Sequence, residues 1–232
     1  MQSNGRHARI AGLLYFIVVA TGIFSLAYVP SQIDAGDAAT TVRNIVAHES
    51  LFRLGIVSSL VCYTAFLLLP LALYRLLSAH GRQAAVLMVA LAASSVSFSF
   101  ANIGHRFDVL ALLGNADYLN AFSTEQLQAQ VMLSLQSYRH GILVSEIFWG
   151  LWLLPFGWLV FKSRLLPRAL GVLLMLGCAG YLADFIGRVL VPEYAASGLG
   201  GYVRLPASLG EIGTCLWLLV MGAREAEKPA TG

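Results

Sequence analysis

The sequence predicts an all-α membrane protein, a polytopic bundle of six transmembrane helices with short amphipathic helices on its outer side. Three observations predict this fold: 58% of the 232 residues are hydrophobic, only 12% are charged, and six separate apolar stretches follow one another. A water-soluble domain usually has about 25% charged residues, so this chain lacks the polar surface to cover itself in water. We expect residues 1–224 to form one membrane domain and residues 225–232 a short polar cytoplasmic tail.

The six predicted spans occupy most of the chain. A helix needs about 20 apolar residues to cross the hydrocarbon of a bilayer. The stretches of this length are residues 8–29, 52–77, 84–113, 138–161, 169–190 and 203–221. The first follows two arginines as a signal peptide would, but its apolar core is too long and no small-residue cleavage site follows it. We interpret it as an uncleaved span.

The distribution of Lys and Arg between the loops predicts the orientation of the chain. One set of loops and span ends carries most of the basic residues: Arg6, Arg9, Arg75, Arg82, Lys162, Arg164, Arg168, Arg224 and Lys228. The opposite loops contain Arg43 together with Asp34, Asp37, Asp117 and Glu193. Because basic loops stay in the cytoplasm, we predict that both termini are cytoplasmic.

Two outer segments have helical patterns of their own. Asp37 to His48 predicts a short helix lying on the membrane. Ser123 is followed three residues later by Gln126, the spacing of a capping box at a helix start. Apolar residues then recur every four positions from Leu127, which predicts an amphipathic helix that is either interfacial or a stalk running into the fourth span.

Composition also argues against several classes of partner and cofactor. The net charge is +3, but the basic residues form short patches between apolar runs, so we do not expect a nucleic-acid partner. Cys62, Cys178 and Cys215 lie in separate apolar runs without a C-x-x-C spacing, which favours buried thiols. No dense metal motif occurs, so neither a metal nor a cofactor is expected. The lipid bilayer is the expected partner, and self-association of the chain remains open.

Polar side chains inside the spans are the main indication of function. With the predicted orientation, they fall in the outer half of the membrane. The candidate ligand-binding residues are Arg53, Asn102, His105, Arg106, Asp108, Arg139, His140, Glu146, Asp184, Arg188 and Glu211, with Arg204 nearby in the sixth span. A charge at a helix centre costs about 2.5–3.5 kcal/mol, so such groups are expected to face one another or a water-filled cavity.

Helical spacing predicts which of these groups share a face. Ser95, Ser99, Asn102 and Arg106 are separated by four, three and four residues, which gives a polar stripe along the third span. Arg139 precedes Glu146 by seven residues, and Arg204 precedes Glu211 by seven. Asp184 and Arg188 are four apart, the spacing of an ion pair within one helix.

Three hypotheses for function remain open on the sequence alone. In the first, the cluster binds or transports a small anionic or lipid-like ligand, because arginine suits carboxylate and phosphate groups. In the second, the protein is an intramembrane enzyme for a lipid-like substrate, with Glu146 and Glu211 as an acid–base pair or a metal held by His105, Asp108 and His140. In the third, the charges only hold helices together in a structural or sensor subunit, with residues 37–48 and 123–137 as docking segments.

Several short stretches also resemble a known group of proteins. They are A-R-I-A-G-L-L-Y (8–15), L-F-R-L-G-I (51–56), N-A-D-Y-L-N-A-F (115–122), L-P-R-A-L-G (166–171), G-Y-L-A-D-F (180–185) and P-A-S-L-G-E (206–211). The chain resembles an uncharacterised group of bacterial six-span proteins, classed as domain of unknown function 4386. The resemblance implies an α-helical fold in the bacterial inner membrane, with no assigned activity. Ser59 and Trp152 stand where Asp and His are expected, which weakens any metal or proton-transfer role inferred from relatives.

Overall fold

The computed structural model describes residues 2–34 and 36–223, with side chains from Gly5 onward, and all regular structure in these ranges is helical. The α-helices of these ranges are α1 Gln2–Ile23, α2 Val29–Ile33, α3 Ala38–Ala47, α4 Glu49–Leu77, α5 Arg82–Asn102, α6 Gly104–Leu112, α7 Thr124–Ser163, α8 Arg168–Leu190, α9 Leu199–Val203 and α10 Leu205–Val220. The predicted all-α fold is confirmed. The predicted polar tail, with Lys228, and Arg224 lie outside the described residues.

Five helical segments are long and apolar enough to cross a membrane: Gly5–Ile33, Glu49–His80, Arg82–Leu112, Thr124–Ser163 and Arg168–Leu190. They correspond to the first five predicted spans. The region of the sixth contains a shorter apolar helix, Leu205–Val220. The helix is interrupted at Arg204 because Pro206 has no backbone N–H to continue the hydrogen bonding of α9.

The first and third spans are also interrupted. A π-helical turn, Phe24–Tyr28, joins α1 to α2 just before Pro30. Such a turn accommodates the proline, whose ring would otherwise meet the carbonyl four residues earlier. The third span divides between α5 and α6 at Ile103. By contrast, α4 and α7 continue through Pro70 and Pro155.

The two segments that the sequence predicts as outer helices are both helical, within α3 and α7. The Asp37 carboxylate accepts a hydrogen bond from the Thr40 amide at the start of α3 (2.8 Å), and this bond lowers the pKa of Asp37. The capping box at the start of α7 is confirmed: the Ser123 amide donates to the Gln126 side chain (2.8 Å), and the Gln126 amide donates to the Ser123 hydroxyl (3.3 Å). The segment that follows is continuous with the helix of the predicted fourth span, as in the stalk alternative, because α7 runs for 40 residues without a break.

The chain divides into two compact units. Unit 1 consists of Met1–Phe16, Ala65–Ser95 and Val144–Gly232, and unit 2 consists of Ile17–Thr64 and Val96–Leu143. Within unit 1, α8 packs closely on α9 and α10 through small residues. A Cβ on Gly177 would lie 2.7 Å from the Ala207 Cα, and a Cβ on Gly180 would collide with the Val203 carbonyl. Small residues of this kind let membrane helices approach closely.

Candidate functional site

A network of four charged side chains joins three helical regions of unit 1. Arg204, at the break between α9 and α10, donates to Glu146 of α7 at 3.0 Å and lies 3.4 Å from Asp184 of α8. Arg188 donates to the same Asp184 oxygen at 3.0 Å, which confirms the predicted pair within α8. The network therefore contains two acids and two bases and is electrically balanced.

The network is enclosed most closely around its acids. The side chain of Asp184 is 0% exposed and that of Glu146 is 8% exposed, whereas those of Arg188 and Arg204 are 34% and 32% exposed. Gly200 of α9 makes room for the Asp184 carboxylate, since a Cβ there would collide with it. Asp184 is contacted by two arginines and Glu146 by one, so both buried charges are paired, although Asp184 Oδ1 and Glu146 Oε2 have no hydrogen-bond partner among the described residues.

A tyrosine of the segment after α8 lies beside this network. The Tyr194 ring rests on Gly187, where a Cβ would lie 2.5 Å from it. Burial raises the pKa of Tyr194, and the Asp184 carboxylate raises it further. Tyr194 therefore lies close to Asp184, although it follows the end of α8 and belongs to no predicted span.

Glu211 of α10 has a different environment from the other acids of unit 1. Its Oε1 accepts from the Tyr15 hydroxyl of α1 (3.3 Å), and its Oε2 accepts from the Tyr181 hydroxyl of α8 (3.5 Å). Trp152 and Phe156 of α7 lie beside Tyr15, with ring centroids 6.3 and 6.5 Å away. None of the described arginines or lysines forms a salt bridge with this carboxyl group.

Arg106 of α6 is the buried base of unit 2. It is only 4% exposed, and its Nε and Nη1 atoms have no hydrogen-bond partner among the described residues. Its guanidinium group lies over the rings of Tyr138 (4.4 Å to the centroid) and Phe52 (5.3 Å). The contacts of this cation are thus aromatic faces, with no carboxylate in the described part of the chain.

Glycines and amides shape the space around Arg106. A Cβ on Gly55 of α4 would lie 3.3 Å from Nη1, so a larger residue would press on the guanidinium. Asn102 donates to the Tyr138 carbonyl at 3.0 Å, and its side chain rests on Gly141. The buried hydroxyls of Tyr63 and Tyr138, which lie near one another and near Arg106, form no hydrogen bond that meets normal geometry with a described residue.

The other predicted site residues lie in unit 2 with exposed or half-exposed side chains and local partners. Arg53 pairs with Glu49 (2.6 Å), Arg139 with Asp34 (2.9 Å) and His105 with Asp108 (3.3 Å). His140 contacts Gln136 at 2.9 Å. No three His, Cys, Asp or Glu side chains group together within the described ranges, so His105, Asp108 and His140 do not form the metal site considered above.

The structure thus brings together some of the candidate residues. Glu146, Asp184 and Arg188 form one network with Arg204; Asn102 and Arg106 both contact Tyr138; Glu211 stands apart with two tyrosines. Sequence reasoning missed Tyr15, Tyr138 and Phe52, because an aromatic residue in an apolar stretch has the same pattern as a packing residue. The three cysteines are free and buried, as predicted.

Comparison with known proteins agrees with the resemblance seen in the sequence. The chain is 31% identical over 85 residues to an uncharacterized protein of Archaeoglobus fulgidus, a match that covers 37% of this chain. The match spans about half (48%) of the length of that relative. No solved structure gives a significant match. The family model described as domain of unknown function (DUF4386) matches residues 10–222. Since that match covers nearly all of the sequence, the chain belongs to the DUF4386 family.

Proposed function

We propose that this protein is a six-span protein of the bacterial inner membrane that binds a small anionic or lipid-like ligand at Arg106. The observation that carries the proposal is a buried guanidinium without a carboxylate partner among the described residues. The ligand class is a phosphate or carboxylate, either free or as the head group of a lipid, because the guanidinium fork matches both groups.

The sixth span is formed by α9 and α10 together. From Leu199 to Val220 the chain is helical except at Arg204, and at 1.5 Å per residue this stretch covers about 33 Å. That length is enough for the hydrocarbon core of about 30 Å. An even number of spans places both termini on the same side of the membrane. Arg6, Arg82 and Lys162, basic residues at span ends on that side, support a cytoplasmic location for both termini.

Energetics favour a bound anion over an unpaired cation. Burial of an unpaired charge costs several kcal/mol even after relaxation. A desolvated cation–π contact returns on the order of 2 kcal/mol and provides no hydrogen-bond acceptor for the Nε and Nη1 atoms of Arg106. The remaining arginines of the outer halves, Arg53, Arg139, Arg188 and Arg204, have acidic partners. Arg106 is therefore the arginine whose environment an anion would complete.

A structural role suits the network of unit 1 better than a ligand site. Arg188 and Arg204 both contact Asp184, Arg204 also donates to Glu146, and the four charges balance. Networks of this kind hold membrane helices together. The third hypothesis therefore applies to this network, while the first applies to Arg106.

The experiment compares Arg106→Gln with Arg139→Gln, which removes an exposed arginine paired with Asp34 in the same unit. Purified protein in a neutral detergent is heated with inorganic phosphate, with a short-chain phosphatidic acid, or with a short-chain diacylglycerol as the lipid control that has no phosphate. A ligand at 100 times its Kd stabilises the folded state by about 2.7 kcal/mol. We expect the phosphate-bearing probes to raise Tm in wild type and Arg139→Gln, and not in Arg106→Gln.

The arms distinguish the sources of the anion. A response to phosphatidic acid alone indicates a lipid head group, and an equal response to phosphate indicates a free anion. If Arg106→Gln does not fold, Arg106→Lys replaces it, and its response should be weaker because lysine lacks the guanidinium fork. Equal responses of wild type and the Arg106 variant to every probe would contradict the proposal.

A further inference from the structure

Glu211 is an ionisable group that the proposed anion site does not use. It lies near the middle of α10, in unit 1, and ionisable residues inside membrane spans are functional candidates by default. We infer that Glu211 is a proton-binding site in the membrane, which takes up and releases a proton while the acids beside it remain paired with arginine. The inference is independent of the proposed function at Arg106.

The Glu211 carboxyl group has hydrogen-bond partners that can accommodate both its ionised and its protonated form. Each of its oxygens accepts from a hydroxyl of a different helix, Tyr15 of α1 and Tyr181 of α8. The neighbouring rings of Trp152 and Phe156 provide apolar surface around Tyr15. Two hydroxyl donors can hold either a carboxylate or a carboxylic acid, since tyrosine both donates and accepts.

Charge balance identifies the ligand as a proton. Arg188 and Arg204 balance Asp184 and Glu146, so an ionised Glu211 gives the acidic and basic groups of this region one excess negative charge. A proton removes that charge and needs no cavity. Uptake forms one O–H bond between the carboxylate and a proton delivered by water, and release returns the proton to water, with no other bond changed.

The other titratable groups facing Glu211 are already engaged. Tyr15 and Tyr181 come from α1 and α8, and Cys215, one turn further along α10, directs its thiol to the Gly12 carbonyl (3.9 Å). Glu146 of α7 is bound by Arg204. Arg204 precedes Glu211 by seven residues. Of these acids, Glu211 is the one that has hydroxyl partners and no arginine among the described residues.

Protonation would change the hydrogen bonds between three helices. An ionised Glu211 accepts from both hydroxyls, whereas a protonated Glu211 donates through one oxygen, so one tyrosine must become an acceptor and turn its own proton elsewhere. The bound proton thereby alters the links of α10 to α1 and α8. This is the change by which the site would influence the rest of unit 1.

Infrared difference spectroscopy tests the inference directly. Protein containing glutamate labelled with carbon-13 is reconstituted in nanodiscs. Spectra at about pH 6, where exposed glutamates are already ionised, and at alkaline pH are compared for the carbonyl stretch of a protonated carboxylic acid. We expect a glutamate band that titrates in wild type, is lost in Glu211→Gln, and persists in Glu125→Gln, which removes an exposed acid of α7 outside unit 1.

Two tyrosine variants test whether the band belongs to this site. Tyr15→Phe and Tyr181→Phe should each move the midpoint of the titration, while Tyr118→Phe, at a residue 65% exposed in an outer loop, should leave it unchanged. A wild-type protein without a titrating buried-glutamate band would overturn the inference. So would a band that survives in a folded Glu211→Gln, or, if that variant does not fold, a midpoint equal in all three tyrosine variants.

Discussion

The two units of the molecule differ in the partners of their buried charged side chains. In unit 1, Asp184 is fully buried and accepts from Arg188, and Arg204 lies close to both Asp184 and Glu146. In unit 2, Arg106 is almost as deeply buried but touches aromatic rings where an acid would be expected. Buried charged side chains in a helix bundle can therefore have either charged partners or only aromatic neighbours. We propose that the balanced network has a structural role and that the unbalanced Arg106 is a site for a ligand from outside the chain.

Asp184→Ala should produce the largest effect. It leaves Arg188 with no carboxylate at hydrogen-bond distance and Arg204 with Glu146 alone, and removing one partner of a buried ion pair costs about 3–5 kcal/mol. Unfolding by a denaturing detergent measures the loss. Asp108→Ala, which removes an exposed carboxylate beside His105, is the control and should change stability by less than about 0.5 kcal/mol. Equal effects of the two variants would remove the distinction between buried and exposed acids.

Gly180→Ala should have the next largest effect. The added methyl group would collide with the Val203 carbonyl, just before the break that places Arg204. Forcing extra volume into a close contact costs about 1–3 kcal/mol. Gly201→Ala is a matched control in α9, because a Cβ there meets nothing within 4 Å. If Gly180→Ala unfolds no more easily than Gly201→Ala, the close packing of α8 against α9 is not what positions the network.

Arg139→Gln should have a small effect. Arg139 and Asp34 form the counterpart in unit 2 of the buried pairs of unit 1, but their side chains are 44% and 38% exposed. Exposed pairs contribute about 0.2–1 kcal/mol. The same detergent titration should therefore show a loss of at most about 1 kcal/mol. A loss as large as that of Asp184→Ala would show that exposure does not separate the two kinds of pair.

The polar stripe of the third span shows what sequence periodicity predicts well. Ser95, Ser99, Asn102 and Arg106 were expected on one face from their spacing, and all four side chains are buried. The spacing of Asp184 and Arg188 likewise predicted their pair within α8. Both inferences use distances along one helix, which are set by local geometry and need no knowledge of the neighbouring helices.

Sequence spacing predicted shared surroundings poorly where two residues lie at different depths along a helix or where the helix is interrupted between them. Arg139 and Glu146 are seven residues apart, yet Arg139 is exposed and Glu146 buried, since seven residues along α7 cover about 10 Å of depth. Arg204 and Glu211 are also seven apart, but the interruption before Pro206 separates their surroundings. The tyrosine partners of Glu211 come from distant parts of the chain, so only tertiary structure identifies them.

The most direct test of the central claim is the stability of Arg106→Met without added ligand, in a neutral detergent. Arg106 has no carboxylate partner among the described residues, so replacing it with an apolar side chain of similar length removes a charge that these residues do not balance. Replacing a buried charge in this way is often neutral or stabilising. We predict unfolding at an equal or higher denaturant concentration than wild type. A loss of several kcal/mol, comparable to that of Asp184→Ala, would show that Arg106 is a structural cation and would contradict the account.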